Sequence, residues 1–307
     1  MTLELKLITE DDWKQGRQHQ ESKFTNYYKL NNFHKALENL KNDYTGTISY
    51  HKFNKKFNAT LLNNTLEYTE NSPIFEYFKL SPNSYYLNEF PDDNLWRSCD
   101  IDSSVYSLFQ DTNKYKQSPE LFIFDKPYIL FTLQSNGSKL VHSFNAETFI
   151  RIVMWATTNK KYILFKLHPY HFPNSNIETC WKYLDKKGYI SDYVMLVDKR
   201  YNLDHLIKNA EQVWTFSSGA GMQAVIYNKP VAHFWKNVDF FPVANFVTTP
   251  EEAYLTKKPS NEDITRFLTW YFTKLTINSE SVNLEKRLRH RLEQYFVYKQ
   301  SDISQIL

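Results

Sequence analysis

From Lys126 to Phe234, short apolar runs of strand length alternate with stretches of helical spacing, and this alternation narrows the possible folds more than any other feature. Pro127 punctuates the chain, and residues 128–133 form an apolar, aromatic run. Residues 147–158 carry Phe149, Ile150, Val153, Met154 and Ala156 at helical spacing. Residues 162–167 read as a second strand, closed by His168 and Pro169, and 177–187 as a helix ended by Gly188 as its C-cap. Then come a strand at 194–197, a helix at 203–210, a strand at 212–216, a helix at 217–226 and a strand at 231–234. Strands and helices alternating at this spacing make βαβ units and a parallel sheet. Such sheets bind ligands beyond the carboxyl ends of their strands. The loops after Leu133, Leu167 and Phe216 are therefore the places to look for a site.

The flanking sequence is less periodic. A helix is expected over 25–41, short strands over 46–50 and 65–68, and two helices within 261–296. The expected organisation is an N-terminal lobe (1–125), a nucleotide-binding lobe (126–250) and C-terminal helices (251–307) packing back on them. A chain of 307 residues with 42% hydrophobic and 23% charged residues can bury a core, which excludes a disordered protein. Cys99 and Cys180 are too few for a disulfide framework and fit a reducing compartment. A net charge of +3 permits an anionic partner without requiring one. Residues 1–12 lack an apolar leader, and no run approaches the length of a membrane helix. The expected location is the cytoplasm, with peripheral contact to the inner membrane face as the alternative.

Four segments carry candidate chemistry. In the first, Thr215, Phe216, Ser217, Ser218, Gly219 and Gly221 lead from a strand into a helix that continues through Gln223. Helix N-termini present unpaired N–H groups, the two hydroxyls add donors, and the two glycines admit a ligand to the backbone, so the segment suits a phosphate. The alternative is that Ser217 or Ser218 only caps the helix. With only six glycines in the chain, each is expected to answer a backbone need. In the second segment, Lys166 and His168 alternate with Phe165 and Leu167 at a strand end, placing a cation and an imidazole on one face. They suit an anionic group. A surface histidine is the plainer reading, and a metal pair with His171 lacks a third ligand.

In the third, Asp92 and Asp93 precede Trp96 and Arg97. A carboxylate there can serve as general base or nucleophile and the arginine as an anchor for an anionic sugar, or the segment is simply a polar turn. Asp100-Ile101-Asp102 nearby spells a metal-binding triplet too short to be specific. The fourth segment, residues 284–295, places Leu284, Leu288 and Leu292 four apart among the cations Lys286, Arg287, Arg289, His290 and Arg291. It reads as a solvated helix packed on one apolar stripe, or as a contact for a membrane surface or polyanion.

In this order, the motifs resemble the bacterial capsule polysaccharide Kdo transferases of the KpsC/KpsS type. That family shows a Glu-Asp-Gly-Phe-Leu-Arg-Ser-like segment, a strand followed by Gln and a polar loop, Lys-x-His-Pro, and Thr-x-x-Ser-x-x-Gly-x-Glu-Ala leading to Gly-Lys-Pro-Val. The counterparts here are residues 92–98, 133–138 (with Gln134 and Ser135), 166–169 and 215–231. Asp239-Phe240-Phe241 parallels an aromatic segment after the last strand. The departures are Asn94 and Asn228 for glycines, Trp96 for an aliphatic residue, Gln223 for Glu, and a Gln134 loop without the family's Asp.

The resemblance implies a GT-B-like α/β fold, two Rossmann-like lobes facing a cleft, and a retaining glycosyltransferase with no cofactor and no obligatory metal. It assigns the nucleotide-sugar donor, CMP-Kdo-like or a UDP-sugar, to Gln134, Ser135, Lys166, His168, Thr215, Ser217, Ser218, Gly219, Gly221 and Gln223. It makes Asp93 the catalytic carboxylate, with Arg97 and His168 beside the reaction. The acceptor is then a glycan. Two other readings share the sequence: a phage-type enzyme glycosylating modified DNA bases, and a non-catalytic sugar- or nucleotide-binding module.

Overall fold

The computed structural model describes residues 3–7, 24–44, 46–50, 65–69, 77–81, 95–109, 120–134, 145–168, 176–235 and 241–303. The chain begins with β1 (Leu3–Lys6), α1 (Phe24–Leu40), β2 (Gly46–Tyr50), β3 (Thr65–Thr69) and β4 (Tyr77–Ser81). It continues through β5 (Tyr128–Thr132), α2 (Ala146–Asn159), β6 (Tyr162–Lys166), α3 (Asn176–Lys186), β7 (Val194–Val197), α4 (Leu203–Asn209) and β8 (Gln212–Thr215). After these come α5 (Ala220–Ile226), β9 (Val231–His233), β10 (Asn245–Phe246), α6 (Pro250–Tyr254) and α7 (Asn261–Trp270). A π-helical turn, Tyr271–Leu275, then leads to β11 (Thr276–Asn278) and α8 (Leu284–Ile303). Contacts divide the chain into two units, Met1–Asp100 with Leu268–Leu307, and Ile101–Phe267.

The second unit holds a six-stranded sheet in the order β10-β9-β8-β5-β6-β7, with every neighbouring pair parallel. Counted from β5, this is the doubly wound 3-2-1-4-5-6 order, with its switch point between β5 and β8. One face carries Ile129, Phe131, Ile163, Phe165, Trp214 and Ala232, packed against Phe149, Ile152, Val153 and Ala156 of α2 and Leu184 of α3. Burying five large side chains from the strands alone contributes on the order of 10 kcal/mol before chain entropy is counted.

Local signals set the helix ends. Asn145 caps α2 by accepting from Thr148 N, and Asn202 caps α4 by accepting from His205 N. Thr249 and Glu252 form a capping box on α6. Gly188, at φ +70°, ends α3 as expected.

Asn228, where the related family has glycine, sits at φ +58° just after α5. Asparagine tolerates this left-handed conformation, whereas residues with ordinary side chains are strained there. Asn228→Ala is expected to lower stability by about 1 kcal/mol, and Asn228→Gly to leave it unchanged or raise it, as read by thermal denaturation.

The first unit has a five-stranded sheet, β1-β2-β3-β4-β11, parallel through β3 and antiparallel beyond it. Its core joins Leu30, Phe33 and Leu37 of α1 to Ile48, Leu66, Tyr68, Phe78 and Ile277 of the sheet and to Leu284, Leu288 and Leu292 of α8. The leucine stripe of the basic helix is therefore core. Three of its cations are engaged locally: Arg287 donates to Thr273 O (2.8 Å), Arg291 to the carbonyls of Lys274 and Leu275, and Arg289 pairs with Asp43 (2.7 Å). The π-helical turn leaves carbonyls without the usual helical partners, and the two arginines satisfy them. Sequence spacing predicts two helices over 261–296. Both are present as α7 and α8, and β11 is inserted between them because residues 276–278 complete the sheet beside β4. Among the described residues, no helix is long and apolar enough to cross a membrane.

Candidate functional site

The carboxyl edge of the six-stranded sheet carries an unusual row. Thr132, Lys166, Thr215 and His233 end β5, β6, β8 and β9, and strand register makes Thr132 the partner of both Lys166 and Thr215, and Thr215 the partner of His233. Register partners in a parallel sheet point to the same face, so four polar side chains form one layer. All four are buried. The layer is built from hydrogen bonds: Thr215 Oγ1 donates to Thr132 O (3.2 Å) and accepts from Ser218 N (2.9 Å).

Lys166 Nζ donates to Leu167 O and Lys199 O, both at 3.0 Å, linking the loops after β6 and β7. Burial lowers its pKa to about 8, with Asp198 opposing the shift. His233 Nδ1 lies 2.7 Å from Trp235 O, and burial lowers the imidazole to about 4, against that hydrogen bond.

Above this layer, at the switch point, Gln134 Nε2 donates to Ser217 Oγ at 3.0 Å. This bond joins the loop after β5 to the loop after β8, where doubly wound sheets hold their ligands. Ser217 and Ser218 are buried and Gly219 is exposed. His168 is half-buried and follows Lys166 by two residues, just beyond the end of β6.

The helix after β8 begins later than its sequence suggests. Thr215 Oγ1 holds the Ser218 N–H, and Ser218 Oγ in turn accepts from Ala220 N (3.3 Å), so 217–219 form a turn and α5 starts at Ala220. The N-cap itself is Gly219, which makes no side-chain cap bond, and Ser218 just before it takes the first helical N–H. With only two turns in α5, the side chains and backbone of the turn matter more here than a helix dipole. Gly221 lies buried within α5 with its N–H given to Ser218 O (2.9 Å). Gln223 is half-buried on the same helix.

In the first unit, Trp96 is buried and the Arg97 guanidinium lies 4.3 Å from its ring centroid, so the tryptophan that replaces an aliphatic residue is a platform for the arginine. Asp102, of the short metal-like triplet, is held below the usual carboxylate range by hydrogen bonds from the Ser104 hydroxyl and from Ser104 N (2.9 Å). Asp93, Ser135, His171, Asp239 and Phe240 lie outside the described residues.

Sequence reading singles out Lys166 and Thr215 but not Thr132 or His233. The signal is common to all four: a polar residue closing an otherwise apolar strand.

The sequence pattern of the capsule polysaccharide biosynthesis protein family matches residues 83–238, half of the chain. The chain belongs to this family. The matched stretch includes Trp96, Arg97, Gln134, Lys166, His168 and the 215–223 segment. Among solved structures, the β-Kdo 2,7 transferase of KpsC from Thermosulfurimonas dismutans is similar at a TM-score of 0.52 and 14% identity, over 94% of this chain and 100% of that one. The β-Kdo 2,4 transferase of KpsC from the same organism gives 0.42 and 12%, over 72% and 78%. A UDP-GlcNAc 2-epimerase from Methanocaldococcus jannaschii gives 0.33 and 20%, over 56% and 47%. No curated protein matches the sequence. The likeness to the 2,7 transferase establishes the fold of this capsule-family protein as that of the KpsC enzyme.

Proposed function

We propose that this capsule-family protein is a glycosyltransferase that takes a sugar from a nucleotide-sugar donor and passes it to a glycan acceptor, with retention at the anomeric carbon. The observation that carries the reading is the Gln134–Ser217 hydrogen bond, which joins two loops at the switch point of a doubly wound sheet. The donor phosphate lies against the hydroxyls of Ser217 and Ser218. His168 stabilises the charge that grows on the leaving phosphate. Lys166 contributes by fixing Leu167, the residue before His168, through its carbonyl. Asp93 acts as nucleophile or base, and Arg97 holds an anionic sugar. Following the family resemblance, the reading assigns no metal to the step. The KpsC enzyme of similar fold is a β-Kdo 2,7 transferase, and the family resemblance pairs such a sugar with a CMP-linked donor.

The test is a thermal-shift series with CMP, UDP, GDP and dTDP, because a ligand bound only by the native state raises the melting point. At 100 times its Kd, a nucleotide adds about 2.7 kcal/mol of stability. A shift with CMP is the expected result. A shift with UDP alone keeps the transferase and changes the donor, and opens a DNA acceptor to test. No shift with any of the four leaves a protein without a nucleotide-sugar donor and overturns the proposal.

A further inference from the structure

The edge of the six-stranded sheet where its strands begin, at the far end from the candidate site, is lined with lysine. Lys126 precedes β5, Lys160 and Lys161 lie between α2 and β6, and Lys229 precedes β9. Lys208 stands in the last turn of α4. Lys257 and Lys258 belong to the same edge, because Lys257 O accepts from the side chain of Asn245 at the start of β10 (3.2 Å). The carboxylates at these strand and helix ends are Asp125, Asp185, Asp192 and Glu211, so lysine predominates. Tyrosine lies beneath it: Lys126, Lys161 and Lys208 stand 4.7, 4.8 and 4.8 Å from the ring centroids of Tyr162, Tyr254 and Tyr227.

Helix dipoles favour cations at helix C-termini, which accounts for Lys208. They do not account for Lys126 or Lys257, which stand at strand starts. Lys160 takes the left-handed place at the end of α2 (φ 52°), as Gly188 does after α3. A lysine is strained there and a glycine is not, so the chain keeps this charge against its backbone preference. Leu255 follows Tyr254 and is 75% exposed, between the lysine on that ring and Lys257.

We infer that this edge is a docking surface for a membrane carrying anionic lipid headgroups. Lysine and tyrosine suit the headgroup layer, and a leucine among them reaches the acyl boundary. A hydrated polyanion offers that leucine nothing. Sequence spacing places such a contact on the basic helix α8, but three cations of that helix are held within its own unit. The inference is independent of the donor-site reading.

The experiment is co-sedimentation with sucrose-loaded phosphatidylcholine vesicles, plain or with about a third of the lipid replaced by phosphatidylglycerol. Wild type is expected to bind the anionic vesicles only, and to be released as salt rises from about 0.1 M to 1 M. Removing one lysine at the surface weakens partition about fivefold. Lys160→Gly combined with Lys257→Gln and Lys258→Gln is therefore expected to lose at least about tenfold while melting at or above the wild-type temperature. Leu255→Ser is expected to lose at least about fivefold on vesicles and nothing on heparin, and Lys286→Gln on α8 to bind as wild type. Wild type that ignores anionic vesicles, or binds plain ones equally well, overturns the inference. So does unchanged binding in the triple variant. Unchanged vesicle binding in Leu255→Ser marks a site for soluble polyanions and overturns it as well.

Discussion

Asp93→Asn is expected to lower sugar transfer by about 10²–10⁴-fold while leaving nucleotide binding unchanged. The residues assigned to the donor in the second unit supply a cation, an imidazole, an amide and hydroxyls: Lys166, His168, Gln134, Ser217 and Ser218. None is a carboxylate. A nucleophile or general base must be found elsewhere, and the family resemblance places it at Asp93, within the stretch that matches the family. Asparagine keeps the shape of the side chain and removes the charge, so the change falls on the chemical step and not on donor affinity. His168→Ala supplies the contrast. Removing a group that meets both the bound phosphate and its developing charge should weaken nucleotide binding and also lower transfer by about 10²–10³-fold. Transfer is read as nucleotide release in the presence of acceptor, and binding by calorimetry. Full activity in Asp93→Asn removes the assignment.

The parts of this molecule that can be read from sequence are those decided by nearby residues. β5 to β9 announce themselves because each is a short run rich in apolar side chains, most of them buried, and Gly188, Asn145 and Thr249 mark helix ends through bonds spanning a few residues. β11 is different. Its three residues become a strand only because they pair with β4, almost two hundred positions earlier, and because Arg287 and Arg291 hold the carbonyls that precede it. No local window contains that information. The start of α5 is displaced for a similar reason at shorter range: Thr215 Oγ1 captures the Ser218 N–H and turns the chain before the helix can begin. The site divides the same way. Lys166 is conspicuous as a charge closing an apolar strand, whereas Thr132 and His233 acquire meaning only when the register brings them into its row.

Lys166 also gives rise to a large effect on stability. It is only 4% exposed, and burial brings its pKa to about 8, against about 10.4 for a lysine in an unfolded chain. Below pH 8 the amine is charged in both states, and this group contributes no slope to stability against pH. Between about pH 8 and 10.4 the native protein releases the proton and the unfolded chain keeps it. The unfolded state then binds more protons, so stability rises with pH across that window. The slope approaches about 1.4 kcal/mol per pH unit and the full gain is on the order of 3 kcal/mol. Lys166→Met, with a similar length and no titration, isolates the effect. In urea unfolding, the free-energy difference between wild type and Lys166→Met is expected to stay constant from pH 6 to about 7.5 and then to move in favour of wild type by about 2 kcal/mol by pH 10. A difference that stays flat throughout would mean that the native state does not enclose a charged amine. The carbonyls of Leu167 and Lys199 take two N–H bonds, and a neutral amine still has two to give. The contacts that hold the residue before His168 therefore survive deprotonation, and the pH effect reports the burial of the charge alone.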